Sequence, residues 1–207
     1  MLTSAGAAPG ALDQPVTTAA HAESKATAPT TPTEDQPVWS DPRGRSTRFL
    51  VNEGAFHVLV DDLTGDGRAD LAFTSHGGNS IRVFRQVKPR RFEATEEQDI
   101  AGFHPNDTIA LPGAPKRYLI NAEGRNQLRV VAAQSDGSLK LVSDYSQVHP
   151  LGSTPFAWPD WGRLSLAVVP YTGAELTLLR DFDPEKGEAK TALSIPTDKD
   201  PRPARLA

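Results

Sequence analysis

The stretch from Asp62 to Asp70 holds the side chains in this sequence best suited to chemistry. It reads Asp-Leu-Thr-Gly-Asp-Gly-Arg-Ala-Asp, so side chains that carry oxygen recur at its positions 1, 3, 5 and 9. Calcium takes about six to eight oxygen ligands from a loop that wraps around it. Gly67, at position 6, permits a sharp backbone turn. The spacing therefore predicts one calcium site, whose ligands would be the side chains of Asp62, Thr64, Asp66 and Asp70 and the carbonyl of Arg68.

This stretch has two other interpretations, an EF-hand loop and a plain turn. An EF-hand loop places a bidentate Glu at position 12, but that position is Phe73 here. A plain Asp/Gly-rich turn is the structural alternative, because both residue types favour turns without any metal. Even with calcium bound, we expect the ion to brace the fold, since a ligand that binds only the folded form stabilises it.

Other constellations give little support for catalysis. The five histidines form no metal-ligand spacing, and Ser75 and His76 are adjacent on a turn rather than placed as nucleophile and base. The chain has no cysteine, which excludes disulfides, thiolate metal sites and cysteine nucleophiles.

A formal net charge of −4 gives no general attraction to nucleic acid or anionic lipid. A local basic cluster is formed by Arg82, Arg85, Lys88, Arg90 and Arg91. The cluster indicates either a solvated hairpin or a contact surface for a polyanion.

The elements that would position the loop are β-strands. Short apolar runs alternate with clusters of Gly, Asp, Asn and Pro from residue 48 onward, and no amphipathic helix is evident. The predicted strands are Phe56–Val60, Leu71–Thr74, Ile81–Arg85, Tyr118–Ile120, Leu128–Ala132, Leu139–Val142, Leu164–Val169 and Glu175–Leu179. The predicted fold class is all-β.

The chain also repeats itself. At an offset of 95 residues, the run 71–85 falls on 166–180 without a gap, and Gly78 matches Gly173. At an offset of 57, the run 66–71 falls on 123–128. Units of about 40–55 residues with four short strands are typical of propeller blades. We therefore predict a partial β-propeller of about three blades, over residues 45–100, 101–149 and 150–200, with 201–207 as the start of a further unit.

The loop and its flanking strands together resemble the FG-GAP/VCBS repeat family, the calcium-loop blades of integrin-α-like propellers. The resemblance is carried by the pattern Asp-Leu-x-Gly-Asp-Gly-x-x-Asp-Leu at 62–71 and the Gly/Asn turn at 77–79. It implies that the loop joins the first two strands of a blade and binds Ca²⁺. It also implies an exported protein, either extracellular or periplasmic. The stretches 121–127 and 160–165 lack the leading or closing acids, so one calcium ion is predicted rather than three.

Residues 1–44 are rich in Ala, Thr and Pro and show no apolar period, so they are predicted to be a disordered tail or linker. No signal peptide is evident in this stretch. The leading hypothesis is a calcium-braced binding or scaffold module for a protein or glycan, without nucleic acid and without a membrane span. Three blades do not close a ring, so either a homo-oligomer or missing blades would complete it. The alternatives are part of a propeller-type polysaccharide lyase or hydrolase and a non-functional gene fragment; activity as an enzyme is uncertain and disfavoured.

Overall fold

The computed structural model describes residues 31–32, 36–41, 43–158, 161–172 and 175–197. Across these residues the regular elements are β-strands, apart from two short 3-10 turns at Asp99–Ala101 and Glu123–Arg125. The strands are β1 (Val38–Ser40), β2 (Thr47–Phe49), β3 (Ala55–Asp61), β4 (Asp70–Ser75), β5 (Ser80–Lys88), β6 (Arg91–Ala94), β7 (Pro105–Leu111), β8 (Arg117–Ala122), β9 (Gln127–Ala133), β10 (Leu139–Tyr145), β11 (Pro150–Trp158), β12 (Trp161–Pro170), β13 (Glu175–Asp183) and β14 (Glu188–Pro196). The predicted all-β class is confirmed. In the described part of the chain, no helix has the length and apolar character needed to span a membrane.

Twelve of these strands form three antiparallel four-stranded sheets. Blade 1 is β3-β4-β5-β6, blade 2 is β7-β8-β9-β10 and blade 3 is β11-β12-β13-β14, each in chain order. The first strands lie side by side, because β7 contacts both β3 and β11. Successive meanders with their first strands at a common axis are the blades of a β-propeller. The chain is thus a partial propeller of three four-stranded blades, as predicted.

The core consists of two layers, one at each junction between blades. Between blades 1 and 2 lie Leu63, Ala72, Ile81, Val83, Ala101, Tyr118, Ile120, Val131 and Leu139. Between blades 2 and 3 lie Leu111, Leu119, Leu128, Val130, Tyr145, Val148, Leu166, Val168, Leu179 and Phe182. Successive side chains of a strand point to opposite faces. Strand β8 therefore sends Tyr118 and Ile120 toward blade 1 and Leu119 toward blade 3, which is why its sequence is continuously apolar.

A two-stranded hairpin, β1–β2, covers part of the outer face of blade 1. The Phe49 ring packs against Phe73 at 5.7 Å, Phe84 at 4.9 Å and Phe92 at 5.3 Å between ring centroids. Strand β1 lies at residues 38–40, inside the predicted tail, so regular structure begins before residue 45. The predicted tail over 1–30 and the predicted further unit at 201–207 lie outside the described residues.

The three-dimensional structure supports one repeat alignment and corrects the other. The offset of 95 residues superposes β4 and β5 on β12 and β13, the second and third strands of their blades. The offset of 57 is wrong, because Glu123–Gln127 connects β8 to β9 whereas Asp62–Asp70 connects β3 to β4. The true counterpart in blade 2 is the connection 112–116, which contains no acidic residue.

Candidate functional site

Asp70 anchors the loop that was predicted to bind calcium. Its carboxylate is fully buried and accepts hydrogen bonds on one oxygen from the Leu63 amide (3.1 Å), the Thr64 amide (3.0 Å) and the Thr64 hydroxyl (3.0 Å). The other oxygen accepts the Gln86 amide of β5 at 2.8 Å. Because a buried charge is costly unless hydrogen bonds compensate it, these four donors explain how Asp70 can be buried. They also fasten the loop to the sheet.

The remaining acids shape the turn itself. Asp62 accepts the amides of Asp66 at 3.0 Å and Gly67 at 2.9 Å, and Asp66 accepts the amide of Arg68 at 2.9 Å. Gly65 and Gly67 have φ values of 76° and 83°, a region that side chains with a Cβ rarely adopt. The loop is therefore a series of side-chain-to-backbone turns, and these two glycines are required by its backbone.

Two cations of the chain lie against Asp66 of this loop and against Asp61, the residue just before it. The Arg68 guanidinium forms an ion pair with Asp66. Lys116, from the corresponding connection of blade 2, donates to Asp61 Oδ1 at 2.7 Å and to the Asp62 carbonyl at 3.2 Å. The negative charge that would attract a metal is thus partly balanced by the protein itself.

Asp61 also accepts a hydrogen bond from the Tyr118 hydroxyl at 3.1 Å. Burial favours a higher pKa for Asp61, but the hydrogen bonds from Lys116 and Tyr118 outweigh burial and lower its pKa below the usual value. Burial, followed by the charge of Asp61, raises the pKa of Tyr118. The loop 62–70 of blade 1, which we call the acid loop, is therefore held to blade 2 by charged hydrogen bonds.

The five residues predicted to bind calcium lie in this one loop, but their side chains already have partners. Among the described residues there is no group of three or more acidic or histidine side chains placed to hold a metal ion. Calcium binding by Asp62, Thr64, Asp66, Asp70 and the Arg68 carbonyl stays a prediction. Asp160, in the connection of blade 3, lies outside the described residues.

A cleft of about 450 Å³ opens between blades 1 and 2 near the turn from β4 to β5. We call it the inter-blade cleft. Its lining is polar and charged with one aromatic and one aliphatic side chain, and consists of Asn79, Asp99, Ile100, Gly102, Phe103, Arg125 and Arg129. Its volume lies in the lower part of the range of about 300–1,000 Å³ typical of small-molecule sites. It is therefore large enough for a ligand the size of one or two sugar rings.

The two arginines of the inter-blade cleft differ in their surroundings. Arg129 forms an ion pair with Asp144, with Nε 2.9 Å from Oδ1. Its side chain passes Gly102, where a Cβ would come within 3.0 Å of Arg129 Cδ and where φ is 85°. Arg125 is exposed and forms no ion pair within the described part of the chain. The cleft therefore offers one oriented and one unpaired guanidinium.

An aromatic row runs along blade 1 toward the cleft, and we define it as Phe56, His76, His104 and Phe103. Successive ring centroids lie 5.0, 4.6 and 4.1 Å apart. Phe103 is 43% exposed and packs on Gly124, where a Cβ would lie 2.1 Å from a ring carbon. The row thus ends in a partly exposed ring at the edge of the cleft, and the Phe103 ring depends on Gly124 having no side chain.

His57, the one histidine predicted to lie on a strand, is engaged at both ring nitrogens. Its Nδ1 accepts the Thr108 amide at 3.3 Å, and its Nε2 lies 2.9 Å from Asp107 Oδ1. Because Nδ1 is an acceptor, the neutral ring carries its proton on Nε2, toward Asp107. His57 therefore links blades 1 and 2.

Comparison with known proteins supports the fold. No protein-family model matches the chain, and no curated protein sequence matches it. Among solved structures, a periplasmic gluconolactonase of Pseudomonas aeruginosa is similar, with a TM-score of 0.50 and 20% identity. The alignment covers 77% of this chain and 53% of that chain, so the chain spans about half the length of this neighbour. At such identity the likeness shows the fold alone, and the resemblance to FG-GAP/VCBS repeats stays a hypothesis.

Sequence reasoning missed the inter-blade cleft, because its lining comes from four separate segments. The only local sequence features that pointed to the cleft were the turn containing Asn79 and the Gly-Arg pair at 124–125. The predicted basic cluster is not a uniform surface, since Arg82 is 7% exposed and donates to the Leu50 carbonyl at 3.2 Å. The side chains of the Trp pair at 158 and 161 lie outside the described part of the chain.

Proposed function

We propose that this propeller segment is a recognition module outside the cytoplasm that binds a carboxylated glycan in the inter-blade cleft. The observation that carries the proposal is the unpaired guanidinium of Arg125 beside the oriented Arg129 in one polar cavity. Guanidinium groups bind carboxylates through paired, charge-assisted hydrogen bonds. A carboxylated sugar presents such a group together with hydroxyls.

The other lining residues suit the rest of such a ligand. Asp99 accepts hydrogen bonds from hydroxyls, and the Phe103 ring offers an apolar edge against which a sugar can pack. The Asn79 amide is already oriented, because its Oδ1 accepts the His104 amide at 2.8 Å. Its amide nitrogen can therefore donate to a ligand. An extracytoplasmic location is part of this proposal and is supported by the periplasmic structural neighbour.

Calorimetric titration with oligo-uronates and with neutral oligosaccharides of equal length tests the proposal. We expect binding of the oligo-uronate alone and a loss of about tenfold or more in Arg125→Ala, since a hydrogen bond to a charged group contributes about 1.5–3 kcal/mol. Arg91→Ala is the matched control, because Arg91 is an exposed arginine on the outer strand of blade 1.

Equal weakening by the two substitutions would mean that binding depends on net charge and not on the cleft. Equal binding of neutral and acidic sugars would remove the carboxylate from the proposal. The same samples test the alternative of a polysaccharide lyase or hydrolase: cleavage of the oligo-uronate into shorter products, with loss in the Arg125→Ala variant, would replace recognition by turnover.

We also propose that the Asp62–Asp70 loop takes up Ca²⁺ as a brace for blade 1. The support is the donor set, in which three carboxylates, the Thr64 hydroxyl and the Arg68 carbonyl are oxygen ligands of the kind calcium prefers. Binding requires Asp66 to exchange the Arg68 guanidinium for the ion. Arg68→Ala should therefore increase the upward shift of the melting temperature in millimolar Ca²⁺. The absence of any calcium-dependent shift in both proteins would reject the proposal.

A further inference from the structure

Two adjoining turns at the outer edge of blade 1 bring five exposed basic side chains together, and we call this cluster the basic rim. Its members are Arg43 and Arg45 in the turn from β1 to β2, and Lys88, Arg90 and Arg91 at the turn from β5 to β6. The two turns touch, because a Cβ on Gly44 would lie 3.4 Å from Nη1 of Arg90. Residues that are more than 40 positions apart in the sequence thus form one positively charged surface.

Most of the charge of the basic rim is not neutralised by the protein. Arg45 pairs with Asp41, with Nε 3.2 Å from Oδ2, and its side chain is still 69% exposed. Among the described residues, the other four basic side chains of the rim form no ion pair. The net charge of the chain is −4, but charges more than about 8 Å away are largely screened at physiological ionic strength. An anion that approaches the rim therefore meets a positive surface.

The backbone at Arg90 has a conformation that favours glycine. Lys88 pairs with Arg91 across the hairpin, so Pro89 and Arg90 form its two-residue turn. The φ of Arg90 is 63°, in the left-handed region that a residue with a Cβ adopts only at a cost. Such costs are typical of functional sites, where the side chain is needed at that place. Here the side chain that is needed is the guanidinium of Arg90, which lies over Gly44.

The chemistry of the basic rim favours sulfate esters among anionic groups. Four of its five members are arginines, and the planar guanidinium binds the oxygens of an anion through paired hydrogen bonds. The guanidinium is also more weakly hydrated than the ammonium of lysine. Sulfate esters are more weakly hydrated than carboxylates or phosphates, so they lose less hydration on contact with arginine.

The basic rim lacks the side chains that a bilayer or a nucleic acid would require. Residues 41–46 and 88–91 contain no large apolar or aromatic side chain that can enter a bilayer or stack on a base. One face of the Trp39 ring on β1 is covered by the Arg48 guanidinium, which lies 5.5 Å from the ring centroid. The partner that fits is therefore an anionic chain without bases and without a lipid phase.

We propose that the basic rim binds a sulfated polysaccharide, at a site separate from the inter-blade cleft. Strand β5 runs from Ser80, next to the cleft residue Asn79, to Lys88 at the rim, so the two sites lie at opposite ends of blade 1. The acid loop lies at the same end as the rim. Arg68, which pairs with Asp66 and also donates to the Gln86 carbonyl of β5, stands between that loop and the rim.

Calorimetric titration with heparin fragments of equal length, either native or fully desulfated, tests the proposal. We expect binding of the sulfated fragment alone. The double variant Arg43→Ala/Arg90→Ala should bind it about tenfold or more weakly. The slope of log K against log salt should also fall by about one for each arginine removed. The matched control is Lys140→Ala/Lys190→Ala, which removes two exposed positive charges from the outer strands of blades 2 and 3 and should leave binding unchanged.

The same titrations can overturn the proposal. Equal weakening by the two double variants would show that binding follows net charge and not the rim. Equal binding of the desulfated fragment would remove sulfate from the proposal. Tighter binding to vesicles that contain phosphatidylserine, or to oligo-thymidylate, than to heparin would assign the rim to a lipid surface or a nucleic acid instead. Oligo-uronate binding should be the same in the Arg43→Ala/Arg90→Ala variant as in the parent, because neither residue lines the cleft.

A further variant separates the role of Arg90 in binding from a role in folding. Arg90→Gly removes the guanidinium and relieves the left-handed backbone conformation. It should bind the sulfated fragment more weakly, while its melting temperature stays the same or rises. Binding as tight as that of the parent would contradict the assignment of Arg90 to the site. A lowered melting temperature would show that Arg90 holds the two turns together, and would overturn the argument from its backbone.

Discussion

Replacing Asp70 tests whether the acid loop is built on a buried carboxylate. Asp70→Ala removes the acceptor for four donors, among them the buried Leu63 amide and the Gln86 amide of β5. Asp70→Asn keeps one carbonyl oxygen but turns an amide N–H₂ group toward one of these donors. The two substitutions therefore remove different shares of the same set of hydrogen bonds.

The expected magnitudes follow from the number of donors. A buried donor left without a partner costs about 1–3 kcal/mol. Thr64 and Gln86 are only partly buried, so water can offset part of their loss, and the largest single loss comes from the buried Leu63 amide. We expect Asp70→Ala to lower the free energy of unfolding by about 3–5 kcal/mol. Asp70→Asn, which loses the Gln86 bond and the charge, should lower it by about 1–3 kcal/mol.

Urea unfolding followed by circular dichroism measures both changes. Asp66→Ala is the matched control, because Asp66 lies in the same loop but its side chain is 34% exposed, and a change within about 1 kcal/mol is expected. The measurements belong in EGTA, so that calcium does not contribute. An Asp70→Ala chain as stable as Asp66→Ala would refute the reasoning that Asp70 anchors the loop.

Three further outcomes are expected. Asp66→Ala should lower the melting temperature in Ca²⁺ but not in EGTA; an equal effect in both buffers, measured by thermal melts, would reject a metal role. The pKa of Asp61 is lowered in the folded state, so its contacts stabilise the fold above the ordinary pKa of 3.8 and are lost as the pH falls below it; Asp61→Asn should flatten this acid-induced loss in a series of melts. Gly124→Ala should displace the Phe103 ring, lowering stability by about 1–3 kcal/mol and weakening oligo-uronate binding, whereas Gly152→Ala, where a Cβ would meet only Asp107 Oδ2 at 4.0 Å, should leave binding unchanged.

The sequence predicted the strands whose apolar residues are buried on both faces or alternate strictly with exposed residues. Tyr118–Ile120 and Leu128–Ala132 belong to the middle blade, where both faces are covered and apolar residues run together. The strands missed were mostly the first or last of their sheets. Strand β11 contains Pro150 and Pro155, and β7 opens with Pro105 and two polar residues. Edge strands tolerate proline and charge because one side of their backbone is unpaired.

The acid loop was found because its pattern is local, but its partners were not. Nothing in the spacing of Asp62 to Asp70 indicates that Lys116, more than 40 residues later, donates to Asp61 Oδ1 at 2.7 Å. The mistaken alignment at an offset of 57 residues has the same origin. The Gly-Arg pair at 124–125 is similar in sequence to the loop, but it connects the second and third strands of its blade. A short motif cannot reveal its strand position; only the topology does.

The acid loop and the inter-blade cleft lie at opposite ends of one interface. Strand β4 begins at Asp70 in the loop and ends at Ser75, before the turn whose Asn79 lines the cleft. Between them, Ala72 of β4 packs in the apolar layer that joins blades 1 and 2. A ligand in the cleft and an intact loop both favour the arrangement in which the two blades are packed, and anything that binds only this arrangement stabilises it. Loosening the Lys116–Asp61 contact should therefore weaken oligo-uronate binding although neither residue touches the cleft.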